Sequence, residues 1–373
     1  VPLVRGAADD VGAAGGGAGA AAPERPAGPP PEGAPGWRRA FTGKDLGLDV
    51  AGGLLLVNAS GSTDESVDND VRALDPRDGT VVWERTGTVA RTGKDTARDD
   101  VYLTDVKGER VRAVRASSGR TRWTYDFVDD FEYFEGPGDL TASGPVVCFR
   151  ISRHGRDPAE QIGALGRDDG RRRWTSEPME DLHAVTAGGG LVVAATATSL
   201  AALDVSTGKR RWRRAMEYGD HLIAGRDTVY ACDRLGTLHA LRAADGGTAW
   251  THRNAAAWTA RLGGGRVYLE GADGEVLALD AATGRTAWSR RVARLEDVPR
   301  AQSTAFRLAG GILYAACSDG TLYALDAADG RVRWIYAAEE IRRGAPASVA
   351  GLVHVATADG HVRAIVPPDS PGG

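Results

Sequence analysis

The sequence predicts an all-β ring of eight four-stranded blades on three observations: a repeated phrase, strand-type alternation before each copy, and two half-repeats at the chain ends. The phrase is Ala-Leu-Asp, a short gap, Gly, three residues, Trp. It runs from Ala73-Leu74-Asp75 to Gly79 and Trp83, from Ala113-Val114 to Gly119 and Trp123, and from Ala164-Leu165 to Gly170 and Trp174. It returns from Ala202-Leu203-Asp204 to Gly208 and Trp212, and from Ala240-Leu241 to Gly246 and Trp250. The last copies are Ala278-Leu279-Asp280 to Gly284 and Trp288, and Ala324-Leu325-Asp326 to Gly330 and Trp334. In each copy the Gly stands five residues after the Leu or Val, and the Trp four after the Gly. A fixed period near forty residues is the signature of a repeat architecture.

Within each period the elements follow in order. Val229-Tyr230-Ala231-Cys232, a turn at Asp233 to Gly236, and Thr237 to Leu241 alternate apolar with small or polar residues, which is strand period. The same pattern recurs around Asp273-Gly274, Asp319-Gly320 and Asp359-Gly360, and Asp-Gly between two such runs is a hairpin signal. The Gly before each Trp marks a second tight turn, because Gly supplies the positive φ that such turns require. A Gly-rich stretch upstream, as at Ala187 to Gly190, marks a third. Each period therefore holds four short strands, a to d from the inside out, with Trp on the outermost. That unit is a β-propeller blade.

The chain ends complete the count. The last repeat has inner strands from Gly351 to Val366 but no Trp, whereas Trp37 lies on an outer-strand pattern that has no blade of its own. Joining the Trp37 strand to the last blade closes an eight-bladed β-propeller and leaves no open edge to template aggregation. The predicted organisation is a disordered Pro/Ala/Gly-rich linker over 1–36, the propeller over 37–366 and a disordered tail over 367–373. Trp37, Trp83, Trp123, Trp174, Trp212, Trp250, Trp288 and Trp334 are predicted to dock neighbouring blades, each with its indole N–H donated to a buried carbonyl. Trp258 falls outside the pattern.

The Trp-bearing phrase resembles the repeat of the pyrroloquinoline-quinone-type (quinoprotein-like) propellers, in which such tryptophans dock adjacent blades. It lacks the Gly-His and Trp-Asp signature of WD-repeat blades. The resemblance covers Trp37 to about Val366 and implies the fold together with an extracytoplasmic or membrane-associated location. The quinone-dependent dehydrogenases of that superfamily add a vicinal disulfide, a bound Ca²⁺ and a catalytic Asp. This chain has no Cys-Cys pair, and no position carries their Ca²⁺ ligands or catalytic Asp. Pyrroloquinoline quinone is thus implied by resemblance alone, and no cofactor is expected.

Composition narrows the function classes. The net charge is −4 with both signs interspersed and no basic stripe, which argues against nucleic acid as a partner. No apolar run reaches membrane-spanning length, and no signal-peptide pattern opens the chain. Only four of the 46 basic residues are Lys while Ala, Gly and Arg abound, a bias of GC-rich bacterial genomes. Cys148, Cys232 and Cys317 fall in blades 3, 5 and 7, too far apart to bridge, so small buried hydrophobes are expected. No nucleophile elbow, phosphate loop or Ser-His-Asp set is present, and no catalytic residue or metal site is assigned.

Four segments depart from the repeat: 58–69 and 152–161 in place of short b–c turns, and the d–a crossings 126–139 and 290–303. By strand order all four emerge on one face, which makes it the expected face for a protein or small-molecule ligand. Phe131, Tyr133 and Phe134 on the first crossing are candidate docking anchors, or rings tucked over the blades. His183 and His221 each stand nine residues after a Trp, at matching points near the channel mouth, and Arg300 and Arg343 stand at comparable points where they could attract an anion. The acidic residues of 58–69 lack the spacing and Gly of a calcium loop. The function expected is that of a non-catalytic binding or sensing propeller, a monomeric domain. It would serve as the sensor region of a bacterial Ser/Thr kinase reached through the 1–36 linker. The alternatives are a stand-alone scaffold similar to the propeller lipoprotein of the outer-membrane assembly machine and, further off, a quinone-dependent dehydrogenase.

Overall fold

The structure is a computed structural model that describes residues 32–41, 45–63, 66–91, 99–105, 109–127, 134–137, 140–153, 160–253, 260–270, 275–292, 305–317, 320–337, 341 and 344–368. Their strands form eight antiparallel sheets arranged as the blades of a β-propeller. Seven sheets have four strands in simple a-b-c-d order. Blade 3 differs, because Phe134–Pro137 and Thr141–Ser143 both pair with its b strand, Val146–Arg153. The d–a crossing predicted over 126–139 therefore ends as a strand.

The ring closes as the half-repeats require. The strand Ala34–Ala40 pairs with His361–Val366 as the outer strand of blade 8. Blade 8 thus takes its outer strand from the opposite end of the chain from its other three. The expected loop over 58–69 is corrected by the structure. Leu54–Thr63 and Ser66–Leu74 stay paired out to Thr63↔Ser66, so the segment lengthens the b–c hairpin of blade 1 instead of leaving it.

The core is not one central mass but a series of slabs, each between the facing surfaces of two successive blades. One slab joins Leu56, Val71, Ala73 and Trp83 of blade 1 to Val101, Leu103, Val114 and Ala116 of blade 2. Every part of the repeated phrase has a place in such a slab. The Ala pairs directly with the Trp across strands c and d, as in Ala73↔Trp83 and Ala202↔Trp212. A bulge follows in each of these pairs: after Ala73↔Trp83 comes Leu74↔Val81, which skips one residue of the outer strand. The indole then crosses to the next blade and donates to a main-chain carbonyl there. Trp37 reaches Pro76 at 2.8 Å, Trp123 reaches Arg167 at 2.9 Å, Trp174 reaches Val205 at 3.0 Å and Trp212 reaches Ala243 at 2.8 Å.

The Gly of the phrase lies under the indole of the preceding blade. At Gly208, where φ is +69°, an added Cβ would stand 2.5 Å from Cε3 of Trp174. The position thus demands Gly twice, for backbone conformation and for close approach. Burying an indole contributes roughly 5 kcal/mol by area against about 1 for its hydrogen bond, so packing dominates each joint. One further signal escaped the sequence reading. Where Arg stands two residues after the Trp, its guanidinium donates to the carbonyl of the same Gly. The pairs are Arg39 to Gly79 at 2.8 Å, Arg85 to Gly119 at 2.8 Å, Arg214 to Gly246 at 3.1 Å and Arg290 to Gly330 at 3.0 Å. Cys148, Cys232 and Cys317 are buried free thiols, and burial pushes that of Cys148 well up from its usual range.

Candidate functional site

The best-defined polar constellation lies at the channel mouth of blades 3 to 5, on the face that carries the b–c turns and d–a crossings. It lines a cleft of about 450 Å³ with Arg150, Glu160, Asp181, Leu182, His183 and Tyr218 among its walls. Arg150 comes from strand b of blade 3 (Val146–Arg153), while Glu160 pairs backbone to backbone with Met179 on the crossing to blade 4. Together they grip the main chain of one residue of the next blade on both sides. Arg150 Nη1 donates to the Leu182 carbonyl at 2.8 Å, and Glu160 Oε2 accepts from the Leu182 amide at 2.5 Å. Arg150 Nε stands 3.6 Å from Glu160 Oε1, so the two charges offset one another.

That grip sets the residues on either side of Leu182. Asp181 adopts φ +55°, a left-handed conformation that Asp tolerates better than most residues. His183 falls at a bulge, since Leu182 pairs with Thr196 and Ala184 with Ala195, leaving His183 between them without a partner position. The bulge turns the imidazole outward, where Nε2 lies 3.1 Å from Asp181 Oδ1 and the ring meets Tyr218 edge-on at 6.4 Å. The result is an exposed imidazole beside a carboxylate on the rim, both open to hydrogen-bonding partners.

The second feature is a turn in blade 5 that sequence reasoning took for an ordinary hairpin. At Asp233-Arg234-Leu235-Gly236, Leu235 is held at 89% exposure. Asp233 builds this turn: its Oδ1 accepts from the amides of Leu235 at 2.9 Å and Thr237 at 2.8 Å, and its Oδ2 lies 2.8 Å from His239 Nε2. Partial burial pushes the Asp233 carboxyl up, but the bonds from His239, Thr237 and Leu235 outweigh it and hold the group below the usual carboxylate range. A hollow of about 240 Å³ adjoins Leu235, walled by Arg214, Met216, Glu217 and His239. A Leu where blades 6 to 8 have Asp273, Asp319 and Asp359 was the available signal.

The other predicted residues are distributed as follows. His183 and His221 both lie on inner strands of adjacent blades, Leu182–Gly188 and Tyr218–Ala224. Their registers differ, however, by one residue. Val185 pairs with Ala194 and Leu222 with the equivalent Ala231, so His221 stands level with Ala184. One step along a strand reverses the face, and the two imidazoles do not stand at matching points. Phe127, at the start of the 126–139 crossing, is fully buried against Phe149, with ring centroids 4.8 Å apart at 65°. Phe134 begins a short strand opposite Arg153. Phe131, Tyr133, Arg300, Arg343 and Trp258 lie outside the described residues.

Among the described residues the donor set does not suit a Ca²⁺–quinone centre. Among the described residues no group of three or more His, Cys, Asp or Glu side chains could hold a metal ion. The three thiols are buried in three separate blades, so none is placed to form a vicinal disulfide. Among the described residues no helix is long and apolar enough to cross a membrane.

A sequence profile described as outer membrane protein assembly factor BamB matches residues 29–149, 158–220 and 217–365. Among solved structures, BamB from Moraxella catarrhalis is similar at 15% identity with a TM-score of 0.60, over 90% of this chain and 99% of that one. The quinohemoprotein alcohol dehydrogenase from Comamonas testosteroni is similar at 16% identity with a TM-score of 0.61, over 91% of this chain and 77% of that one. The computationally designed Ika8 protein gives a TM-score of 0.65 at 14% identity, over 87% of this chain and 97% of that one. No curated protein sequence matches. At these identities the structural likenesses speak for the fold alone.

Proposed function

The chain belongs to the repeat family described as outer membrane protein assembly factor BamB, and from that premise we propose that it is a binding propeller without chemistry of its own. It docks a protein partner on the b–c and d–a face of blades 3 to 5, as a scaffold in an extracytoplasmic assembly. The observation that carries this reading is Leu235. A leucine held at 89% exposure by a rigid hairpin contributes nothing to the fold, whereas covering it with a partner gains roughly 2 kcal/mol. The nearby Asp181–His183 pair supplies directional polar contacts around that anchor.

A second reading keeps the same face and changes the context: the propeller is the sensor region of a larger signalling protein such as a bacterial Ser/Thr kinase. What favours it is the composition of 1–31, ahead of the first strand, whose Pro29-Pro30-Pro31 and Ala/Gly tracts suit a tether.

Photo-crosslinking in the native host tests the binding face. A photoreactive residue at position 235 or 183 is expected to capture one discrete protein, while the same probe at Arg77 or Ala282, on the c–d turns of the opposite face, captures none. Capture only from the opposite face would overturn the assignment. Mass spectrometry of the adduct separates an envelope-assembly component from a signalling protein. Adding pyrroloquinoline quinone with Ca²⁺ should leave the Trp fluorescence unchanged, and saturable Ca²⁺-dependent quenching would overturn the non-catalytic reading.

A further inference from the structure

The repeat fills the outer part of its slabs in a regular way, and one slab departs from it. Two positions meet there: the residue two after each Trp, and the strand c residue just before the Ala of the next blade. From blade 4 to 5 these are Arg214 and His239, from 5 to 6 His252 and Leu277, from 6 to 7 Arg290 and Tyr323. From blade 7 to 8 they are Tyr336 and Arg363, joined by a hydrogen bond of 2.9 Å. The joints from 8 to 1 and from 1 to 2 have Arg39 with Arg72 and Arg85 with Arg112. From 2 to 3, Tyr125 faces Gly163, but Phe149 occupies the space, since a Cβ on Gly163 would stand 2.4 Å from its Cζ.

Only the joint from blade 3 to blade 4 has a small residue at both positions with no substitute, Ser176 and Ala201. A groove of about 790 Å³ opens there along the outer flank, running from the d–a crossing at Glu177 to Glu180 and the b–c turn at Thr198 down to the c–d turn at Gly208. It follows strand c of blade 4, Ser199–Asp204, whose six residues span roughly 20 Å. Its floor is apolar, with Ala201, Leu203 and Met179, and its walls carry serine and threonine hydroxyls. Three cations, Lys209, Arg210 and Arg213, line it against two carboxylates, Glu177 and Glu180, leaving one positive charge in excess. Arg210 is offset by Glu177 at 3.5 Å, but among the described residues neither Lys209 nor Arg213 pairs with a carboxylate. Arg213 lies directly beside Ala201 in the cross-strand register, its Nε donating only to Ser199 Oγ at 3.2 Å.

We propose that this groove is a second binding site, for an extended peptide that carries an aromatic side chain next to an acidic one. The aromatic ring supplies the bulk that Tyr, His or Arg supplies in the other joints and rests on Ala201, Leu203 and the polarisable Met179. The carboxylate meets the Arg213 guanidinium, which offers the forked donor geometry that carboxylates accept. Six to seven extended residues match the length of the groove, and the flanking hydroxyls serve the peptide backbone. The groove shares no lining residue with the hollow beside Leu235, so either site can fail alone.

Fluorescence anisotropy with labelled hexapeptides tests it on the full chain. The probes are Ala-Ala-Tyr-Asp-Ala-Ala and Ala-Ala-Asp-Tyr-Ala-Ala, with controls in which Asn replaces Asp or Ala replaces Tyr. At least one acidic-aromatic probe is expected to bind ten-fold or more tightly than its controls. Ala201→Tyr gives blade 4 the residue that blade 7 carries as Tyr323, and Arg213→Thr gives it the residue that blade 5 carries as Thr251. Both variants suit the fold, which an unchanged melting temperature checks, and each should abolish the preference. Failure of both probes to bind, equal binding of the Asn controls, or undiminished binding by a folded Ala201→Tyr variant would each overturn the proposal.

Discussion

The joint between blades 8 and 1 and the joint between blades 3 and 4 are built from the same phrase and end in opposite states. At the closure both halves are filled by side chains. Trp37 lies over Gly79, His354 packs against Trp37 at a tilt of 42° with ring centroids 5.4 Å apart, and both side chains donate to the Pro76 carbonyl. Above them Arg39 holds the Gly79 carbonyl and Arg72 lies over the Phe41 ring at 5.7 Å. At the blade 3–4 joint the lower half is equally tight, with Trp174 over Gly208, but the upper half has Ser176 and Ala201 and stays open. The phrase therefore secures the lower half of every joint. The residues it leaves unspecified decide whether the upper half is core or cavity.

The largest test breaks the tight side outright. Deleting Gly36 to Phe41 removes the outer strand of blade 8 and should abolish cooperative unfolding of the whole propeller. A melting curve like that of the intact chain would refute closure by this strand.

Next, Gly79→Ala and Gly208→Ala probe the two lower halves, which the comparison holds to be alike. Each adds a methyl into an indole at a left-handed φ, so each should lose about 2–4 kcal/mol in denaturant titrations. A much milder effect at Gly208 would mean that the blade 3–4 joint is loose throughout.

A smaller effect is expected from His354, which is fully buried at the closure. Burial, opposed by its carbonyl contacts, moves its pKa down, so the folded state favours the neutral ring. The unfolded chain then binds the proton more readily, and the His354 contribution is complete above about pH 6.5 and declines as the pH falls through and below that value. His354→Tyr restores the residue that Tyr230, Tyr268 and Tyr314 provide at the same register, and should flatten the stability profile over that range. An identical profile in the variant would exclude His354 as the source. Smallest of all, Ser176→Arg gives the open joint the residue that four other joints have two positions after the Trp. It should raise stability by at most about 1 kcal/mol if its guanidinium finds the Gly208 carbonyl. A loss of stability would show that the groove rejects its own repeat's side chain.

Much of this was legible in the sequence because it was periodic. The Gly and Trp of each phrase meet across a joint at a fixed separation, so any one copy predicts the contact made by all. The half-repeats at Trp37 and at Gly351 to Val366 gave the closure by the same arithmetic. The candidate site was read less well, for a physical reason. Spacing from the preceding Trp put His183 and His221 at matching points, but a bulge at His183 and a longer irregularity before Leu222 shift the two registers by one residue. Such a shift leaves no mark in composition. Leu235 was visible and passed over because a turn tolerates many side chains, and its exposure depends on what surrounds it.

The sequence by itself determined the architecture: strand period, Gly turns, docking Trp, eight blades and the closing strand follow from local patterns that repeat. Only the tertiary structure decided where the ring is incomplete. Ser176 and Ala201 are unremarkable alone, and they make a groove because folding sets them opposite one another with nothing to fill the gap. Cavities belong to pairs of residues distant in sequence, and a periodic code specifies the contacts that recur, not the ones that are missing.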